Sequence, residues 1–419
     1  MAPGGTAGRP AVTPGAVVAI RAIAAGGNGV GSLPDGRTVF VPRTAPGDLV
    51  ELTAIRLHRR HAEARVATLR EAAPGRVVPP CPHYLADQCG GCQLQHLTAE
   101  AQEEARRRIV GDALRRIGKL DVPDPPLTAA TSQFGYRNKI TLTYRSGVLG
   151  YHRLGAAGQV FAVERCLLAA PPLDALLAMV RRAVERLPAD TDQVVLRLDA
   201  EGGRHVIVKT LGDRAWGGAA HLAEALAPGV VIWWHPDGGA PRAMAGSEAP
   251  WPATVFEQVH PAMARLVRQH AVAAVVAMTS AGALAWDLYA GTGETTVALM
   301  GQGLVVESVE LDPRAVEVAR RSGPDGARRE VGDVADIIRR LTPPRVVIVN
   351  PPRGGLDARV AERLTESGAV AISYISCDPA TLARDLARLA SRYRVREIRA
   401  FDQFPQTAHV ETVAVLERA

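Results

Sequence analysis

The chain has 419 residues, 47% of them hydrophobic, with a formal net charge of +6, enough for two or three domains with a large core. A mean hydropathy of +0.02, a longest apolar run of only Ala271 to Met278, and an N-terminus without the apolar core of a secretory signal argue against a membrane span and for a cytoplasmic protein. Five cysteines in such a chain argue against a disulfide framework and for a reducing compartment.

Residues 1–11 read as a disordered Pro/Gly tail. From Gly15 to Leu69 short strands alternate with turns. Val17–Ile20, Val39–Val41, Val50–Leu57 and Ala62–Leu69 are the strands, and Gly26-Gly27-Asn28-Gly29, Asp35-Gly36 and Pro46-Gly47-Asp48 the turns. The pattern predicts a small all-β, OB-like barrel over residues 12–72. His58-Arg59-Arg60-His61 forms its basic hairpin tip, either a solvated turn or a surface for a polyanion. Only three of the 49 basic residues are lysine, Lys119, Lys139 and Lys209. Arginine clusters therefore reflect compositional bias and carry little functional weight.

Cys81, Cys89 and Cys92 follow within twelve residues, a spacing of metal or cluster ligands. Gly90 and Gly91 let the backbone turn tightly between the last two. A fourth ligand must come from elsewhere: Cys166, or a histidine such as His83 or His96 around a structural zinc. Spacing alone leaves zinc and [4Fe–4S] both open. A helical pattern covers 93–118. Then strands from Ile140, Val194 and His205, with one helix over Pro172–Arg186, predict a central α+β domain over residues 73–260.

From residue 261 the period changes to helices alternating with buried strands. A lead helix, Pro261–Met278, precedes strands near 284–289, 304–311, 328–331, 345–349, 370–375, 395–400 and 412–416. Six strands linked by helices, then a short loop and an antiparallel seventh, predict a Rossmann-like class I methyltransferase domain over residues 261–419. Gly291 and Gly293, after the first strand, allow close backbone approach to a ligand. Glu310, ending the second strand, can take two hydrogen bonds from a ribose diol. The absence of a third glycine favours S-adenosylmethionine over a dinucleotide. Asp333 ends the third strand and can reach an adenine. Asn350-Pro351-Pro352-Arg353 ends the fourth, with arginine where an amine methyltransferase has an aromatic.

Ser376-Cys377-Asp378-Pro379 ends the fifth strand and opens a helix, with Asp378 as N-cap and Pro379 as first helical residue. Cys377 is either a buried, inert thiol or a nucleophile whose thiolate the helix N-terminus favours. Glu411 enters the last strand beside the same sheet edge; His409 reads as structural.

Taken together, the chain resembles the RNA 5-methyluridine methyltransferase family, and within it the bacterial 23S ribosomal RNA branch with a TRAM barrel and a [4Fe–4S] cluster. Gly29-Val30-Gly31, Val39-Phe40-Val41-Pro42 and Pro46-Gly47-Asp48 resemble TRAM; Ser376–Pro379, Phe404–Glu411 and Cys89–His96 carry the rest. The resemblance implies S-adenosylmethionine and RNA as partners of a monomer, with Cys377 the nucleophile and Glu411 the general base. It implies Gln258, Tyr289, Glu310 and Asn350 in the cofactor pocket, and Cys81, Cys89, Cys92 and Cys166 as cluster ligands. His260 and Glu294 each stand where the family often has Asn, and Asn350 replaces an Asp of the nearest branch. These departures leave ribosomal and transfer RNA both open as substrates, and an amine N-methyltransferase is the competing chemistry.

Overall fold

The computed structural model describes residues 15–246 and 253–419; the tail expected over residues 1–11 lies outside them. The described residues form three sheets.

The first contains β1 (Val17–Ala19), β2 (Ala22–Ile23), β3 (Gly29–Ser32), β4 (Thr38–Val41), β5 (Leu49–Leu57) and β6 (His61–Glu71), in the order β1-β5-β6-β4-β3-β2. β1 and β2 are neighbours in the chain but stand at opposite ends of that order, pairing with β5 and β3. The sheet therefore closes into a barrel around Val18, Val39, Val41, Val50, Leu52 and Ala62. β2 and β3 were not foreseen. β3 is Gly-Val-Gly-Ser, a poor strand former, and its glycines are there for space. A Cβ at Gly29 would strike Thr44, and one at Gly31 would strike Val18.

α1 (Pro82–Leu85), α2 (Ala99–Arg116) and β7 (Leu127–Thr128) lead to the second sheet. Its elements are β8 (Lys139–Arg145), β9 (Val148–Arg153), β10 (Ala156–Ala162), α3 (Pro171–Arg182), β11 (Thr191–Leu198), β12 (Arg204–Thr210), α4 (Ala219–Ala225), β13 (Val230–Pro236) and β14 (Arg242–Ala245). The order is β10-β9-β8-β11-β12-β13-β14. One face packs on α3 and α4 through Leu173, Leu177 and Leu222. The sequence reading missed α4 and β13: Val230–Trp234 is a continuous apolar run without strand alternation, because it is buried throughout. On the opposite face Lys139 pairs across strands with Arg197, Arg197 with His205, and Lys209 with His235.

The third sheet follows α5 (Pro261–Val276). Its elements are β15 (Leu284–Leu288), α6 (Glu294–Gly301), β16 (Val305–Glu310), α7 (Pro313–Ser322), β17 (Arg328–Val331), α8 (Val334–Ile337), β18 (Val346–Val349), α9 (Ala358–Glu366), β19 (Ala371–Ser376), α10 (Pro379–Leu389), β20 (Tyr393–Phe401) and β21 (Glu411–Arg418). The order is β17-β16-β15-β18-β19-β21-β20-β7. β15 to β19 are parallel, and β21 is antiparallel to both neighbours. Alternate strand residues feed two cores: Val347, Val349, Ile372 and Ala414 face α9 and α10, while Val346, Ile348, Ala371 and Val413 face α5. Two segments from earlier in the chain join this sheet. β7 adds an edge strand to β20, and α2 packs with Val110 and Leu114 in the core beside α10. The strand order reverses between β15 and β18, and in open α/β sheets ligands bind beyond the carboxyl ends at such a point.

Candidate active site and cysteine cage

Cys377 sits between β19 and α10. Asp378 caps the helix as expected, its Oδ1 accepting from the Ala380 and Thr381 N–H groups at 2.9 Å. β19 and β21 pair with Ser376 opposite Thr412. One step further in that antiparallel register sets Cys377 beside Glu411, although thirty-four residues separate them in the chain. Glu411 is 2% exposed, and its Oε2 has no hydrogen-bond partner among the described residues. Burial pushes its carboxyl up to about 8. Burial, and then the charge of Glu411, also raise the Cys377 thiol, against the pull of the nearby Arg353 guanidinium. Desolvation thus outweighs the expected helix-dipole effect. A thiol and a carboxyl, both neutral at rest, stand side by side with a guanidinium at the thiol.

Arg353 went unrecognised in the sequence except as a missing aromatic. Its loop is tied to α10: Gly354 O accepts from Arg384 Nη2 at 2.8 Å, and Asp385 Oδ2 accepts from Leu356 N at 2.7 Å. The available signal was its place three residues after Asn350 on the same strand-end rim. His409 is exposed, with its ring edge-on to Phe404.

The remaining cofactor candidates lie along that rim. Tyr289 (φ 63°), Gly291 (φ 55°) and Gly293 (φ 81°) carry the chain from β15 into α6. A Cβ at Gly291 would meet nothing within 4 Å, so this loop borders open space. Glu310 holds the loop from β16: its Oε2 accepts from Gly291 N at 2.8 Å and its Oε1 from Asp312 N at 2.9 Å. Each oxygen keeps a second lone pair for a ligand hydroxyl. Burial, then the charges of Asp333, Asp357 and Asp385, raise the Tyr289 phenol, which places Tyr289 near Asp333. Asp333 is exposed and caps α8 through Ala335 N at 2.8 Å. Asn350 N donates to Leu288 O at 3.2 Å. Gln258 Oε1 accepts from Gln403 Nε2 at 3.4 Å. Val255, three residues before it, packs on Ala315 and Val318 of α7.

Cys81, Cys89, Cys92 and Cys166 line one cavity of about 220 Å³. Gly90 N donates to His152 O at 3.0 Å, fixing the turn between two of the cysteines. Burial is the main reason the Cys89 thiol is pushed up to about 11 and Cys92 up to about 12, and neighbouring cysteines add to it. Both histidine alternatives are committed elsewhere. His83 pairs with Asp87 at 2.8 Å and with Glu164 N at 3.1 Å; His96 pairs with Tyr84 at 2.7 Å and Thr44 O at 3.1 Å. Among the described residues no three of the sulfurs lie within 4.8 Å of one another. A zinc ion held tetrahedrally at about 2.3 Å needs sulfurs about 3.8 Å apart, closer than any three of these stand. The tight donor group that does occur, His58, His61 and Glu63, is at the barrel's hairpin tip, where Arg59 and Arg60 repel a cation.

A family model described as tRNA (Uracil-5-)-methyltransferase matches residues 326–419, the segment holding Cys377 and Glu411. The 23S rRNA (uracil(1939)-C(5))-methyltransferase RlmD of Halomonas elongata is 32% identical over 95% of this chain and 88% of its own. The RlmD of Chromohalobacter salexigens is 31% identical over 96% and 89%. An uncharacterized RNA methyltransferase of Gloeobacter violaceus is 31% identical over 98% and 100%. Among solved structures, the Pyrococcus abyssi tRNA (uracil-54, C5)-methyltransferase in complex with S-adenosyl-L-homocysteine shares the fold. Its TM-score is 0.71 at 23% identity, covering 95% of this chain and 99% of that one. No described helix is long and apolar enough to cross a membrane. Relatives of this identity run the length of the chain, and the sheet register brings its strand-end cysteine next to a buried carboxyl: the chain belongs to the RNA uracil-5-methyltransferase family.

Proposed function

We propose that this protein methylates carbon 5 of a uridine in 23S ribosomal RNA, using S-adenosylmethionine, through a covalent adduct on Cys377. The observation that carries the reading is the β19–β21 register, which gives a nucleophile an adjacent base. Carbon 5 of uracil is itself a weak nucleophile. Cys377 loses its proton to solvent, and the thiolate, beside the Arg353 guanidinium, adds to carbon 6 and turns the ring into an enolate. S-adenosylmethionine supplies an electrophilic methyl group when bound. Glu411 then takes the proton from carbon 5, the carbon–carbon double bond re-forms, and the Cys377 sulfur leaves. Tyr289, Gly291, Glu310, Asp333 and Asn350 line the rim where the cofactor would lie, and Gln258 is the sixth residue assigned to it.

Four cysteines on one cavity, no three of them within 4.8 Å of one another, favour a [4Fe–4S] cluster there. It would tie the Cys81–Cys92 segment to Cys166. The closed barrel suits a TRAM-type RNA-binding module, and the third sheet a Rossmann-like class I methyltransferase domain. RNA is also supported by the second sheet. The side chains of Lys139 and Lys209 have no hydrogen bond or ion pair among the described residues. Burial first, then Arg197 and Lys209, lower the Lys139 pKa; burial, then Lys209 and Arg314, lower that of His235. Arg197 is paired with Glu257 at 2.6 Å, and the two half-buried lysines beside it suit a polyanion.

The RlmD relatives favour ribosomal RNA, and the Pyrococcus fold neighbour keeps transfer RNA as the second reading. The test offers both RNAs with S-adenosylmethionine and analyses nucleosides by mass spectrometry. 5-Methyluridine in 23S RNA is expected. 5-Methyluridine confined to tRNA would move the substrate, and methylation on an exocyclic amine would overturn the chemistry.

A further inference from the structure

Gln406 is buried (4% exposed) and holds a left-handed backbone, φ 70°, although it is not glycine. Such a conformation costs free energy and persists only where the surroundings enforce it. Here they do so with five hydrogen bonds, all to segments early in the chain. Gln406 O accepts from the N–H groups of Gln93 (3.1 Å) and Leu94 (3.0 Å). Gln406 N donates to Gln102 Oε1 at 3.1 Å, and Gln102 Nε2 donates to Gln406 Oε1 at 3.0 Å. Gln406 Nε2 donates to Gln133 Oε1 at 3.2 Å.

The neighbouring loop residues are held from the same side. Pro405 O accepts from Tyr136 Oη at 3.0 Å and Thr407 O from Arg106 Nε at 3.2 Å. Ala408 packs with Leu94 and Leu97. Glu411 begins its strand five residues after Gln406, and Gln93 directly follows Cys92. The backbone that delivers Glu411 is thus fastened to the Cys89–Leu94 turn and to α2.

We propose that Gln406 is a positioning residue that couples the placement of the Glu411 carboxylate to the Cys89–Leu94 segment and α2, and so controls adduct breakdown rather than methyl transfer. This rests on the covalent reading above. In the step concerned the C5–H bond breaks and its proton goes to a Glu411 oxygen. The C5–H electron pair forms the C5=C6 bond, and the C6–S pair returns to Cys377 as thiolate. Attack by Cys377 needs no contribution from the loop, because β19 and α10 hold that residue.

The experiment uses the full-length protein prepared anaerobically, as wild type, Gln406→Ala and Gln102→Ala. Rapid quench follows one turnover on radiolabelled RNA. Methyl groups on total RNA report transfer, and protein–RNA species surviving denaturing electrophoresis report the adduct. Both variants should transfer methyl within about threefold of wild type, bind S-adenosyl-L-homocysteine within about twofold, and lose the adduct at least about tenfold more slowly. With 5-fluorouridine RNA, whose C5 fluorine no base removes, wild type and variants should trap equal adduct at equal rates. Transfer and breakdown falling together, or breakdown at the wild-type rate in both variants, would overturn the proposal. A wild type that forms no adduct on 5-fluorouridine RNA would instead overturn the covalent reading and, with it, this inference.

Discussion

Glu411 keeps its proton at neutral pH because burial pushes the carboxyl up to about 8, and a general base acts only from its deprotonated fraction. Adduct breakdown should therefore speed up with pH and level off above an apparent pKa near 8, being about tenfold below its plateau at about pH 7. A quench-flow series across that range checks it, and a flat profile would remove Glu411 from the step. Glu411→Gln should leave methylated RNA covalently joined to the protein, while Cys377→Ala should form neither adduct nor product. The same shift bears on stability. The folded pKa lies above the unfolded value, so the folded state holds the proton more tightly. Its contribution is complete below about pH 4.5 and is lost as pH rises toward 8. Glu411→Gln should thus come close to wild type near pH 5 and exceed it by about 4 kcal/mol at pH 8 in urea melts. The places of Cys377 and Glu411 at strand ends were legible in the sequence because each falls in a motif beside an apolar run. Arg353 and Gln406 were not, since their roles lie in contacts with residues far along the chain, which no local pattern records.

The hairpin between β5 and β6 and the half-buried Lys139 and Lys209 of the second sheet are the parts that would meet RNA. Lys139→Gln with Lys209→Gln should weaken RNA binding by at least about tenfold and flatten its salt dependence by about one to two charges, with S-adenosyl-L-homocysteine affinity unchanged in calorimetry. An unaltered salt slope would mean the face does not touch phosphates. For the barrel, substituting Arg59 and Arg60 is a cleaner probe than deleting the module. Ile23 and Ala45 share a buried cluster with Leu94, Leu97 and Ala408, so deletion would strip a core that reaches the Glu411 loop. At this scale the alternating strands of the third sheet were readable because each helix and strand is long and regularly patterned. The glycine-built β3, the uniformly buried β13 and the two-residue β7 were not, because tertiary pairing rather than propensity makes them strands.

Residues from the first third of the chain complete the methyltransferase sheet and grip its last loop, so the molecule's two ends depend on each other. Arg106 of α2 and Asp402 of the loop form an ion pair at 3.2 Å with both side chains fully buried. Asp402→Ala, by stranding the guanidinium, should cost about 3–5 kcal/mol. The cysteine cage is the other long-range tie, and its contents can be tested directly. Anaerobically purified protein should be brown with iron–sulfur absorbance, and Cys166→Ser should bleach it. Stoichiometric zinc without iron would refute the cluster. A cage remote from the strand ends would affect only stability and RNA binding. Here the residues after Cys92 bond to Gln406, so loosening the turn should reach Glu411 as well. Cys166→Ser should therefore lower the melting temperature, weaken RNA binding and slow adduct breakdown, while S-adenosyl-L-homocysteine still binds within about twofold, because none of Gly291, Glu310 and Asn350 touches the cage. If the bleached protein breaks down its adduct as fast as wild type, the cage is a stability device alone, and α2 by itself holds the loop.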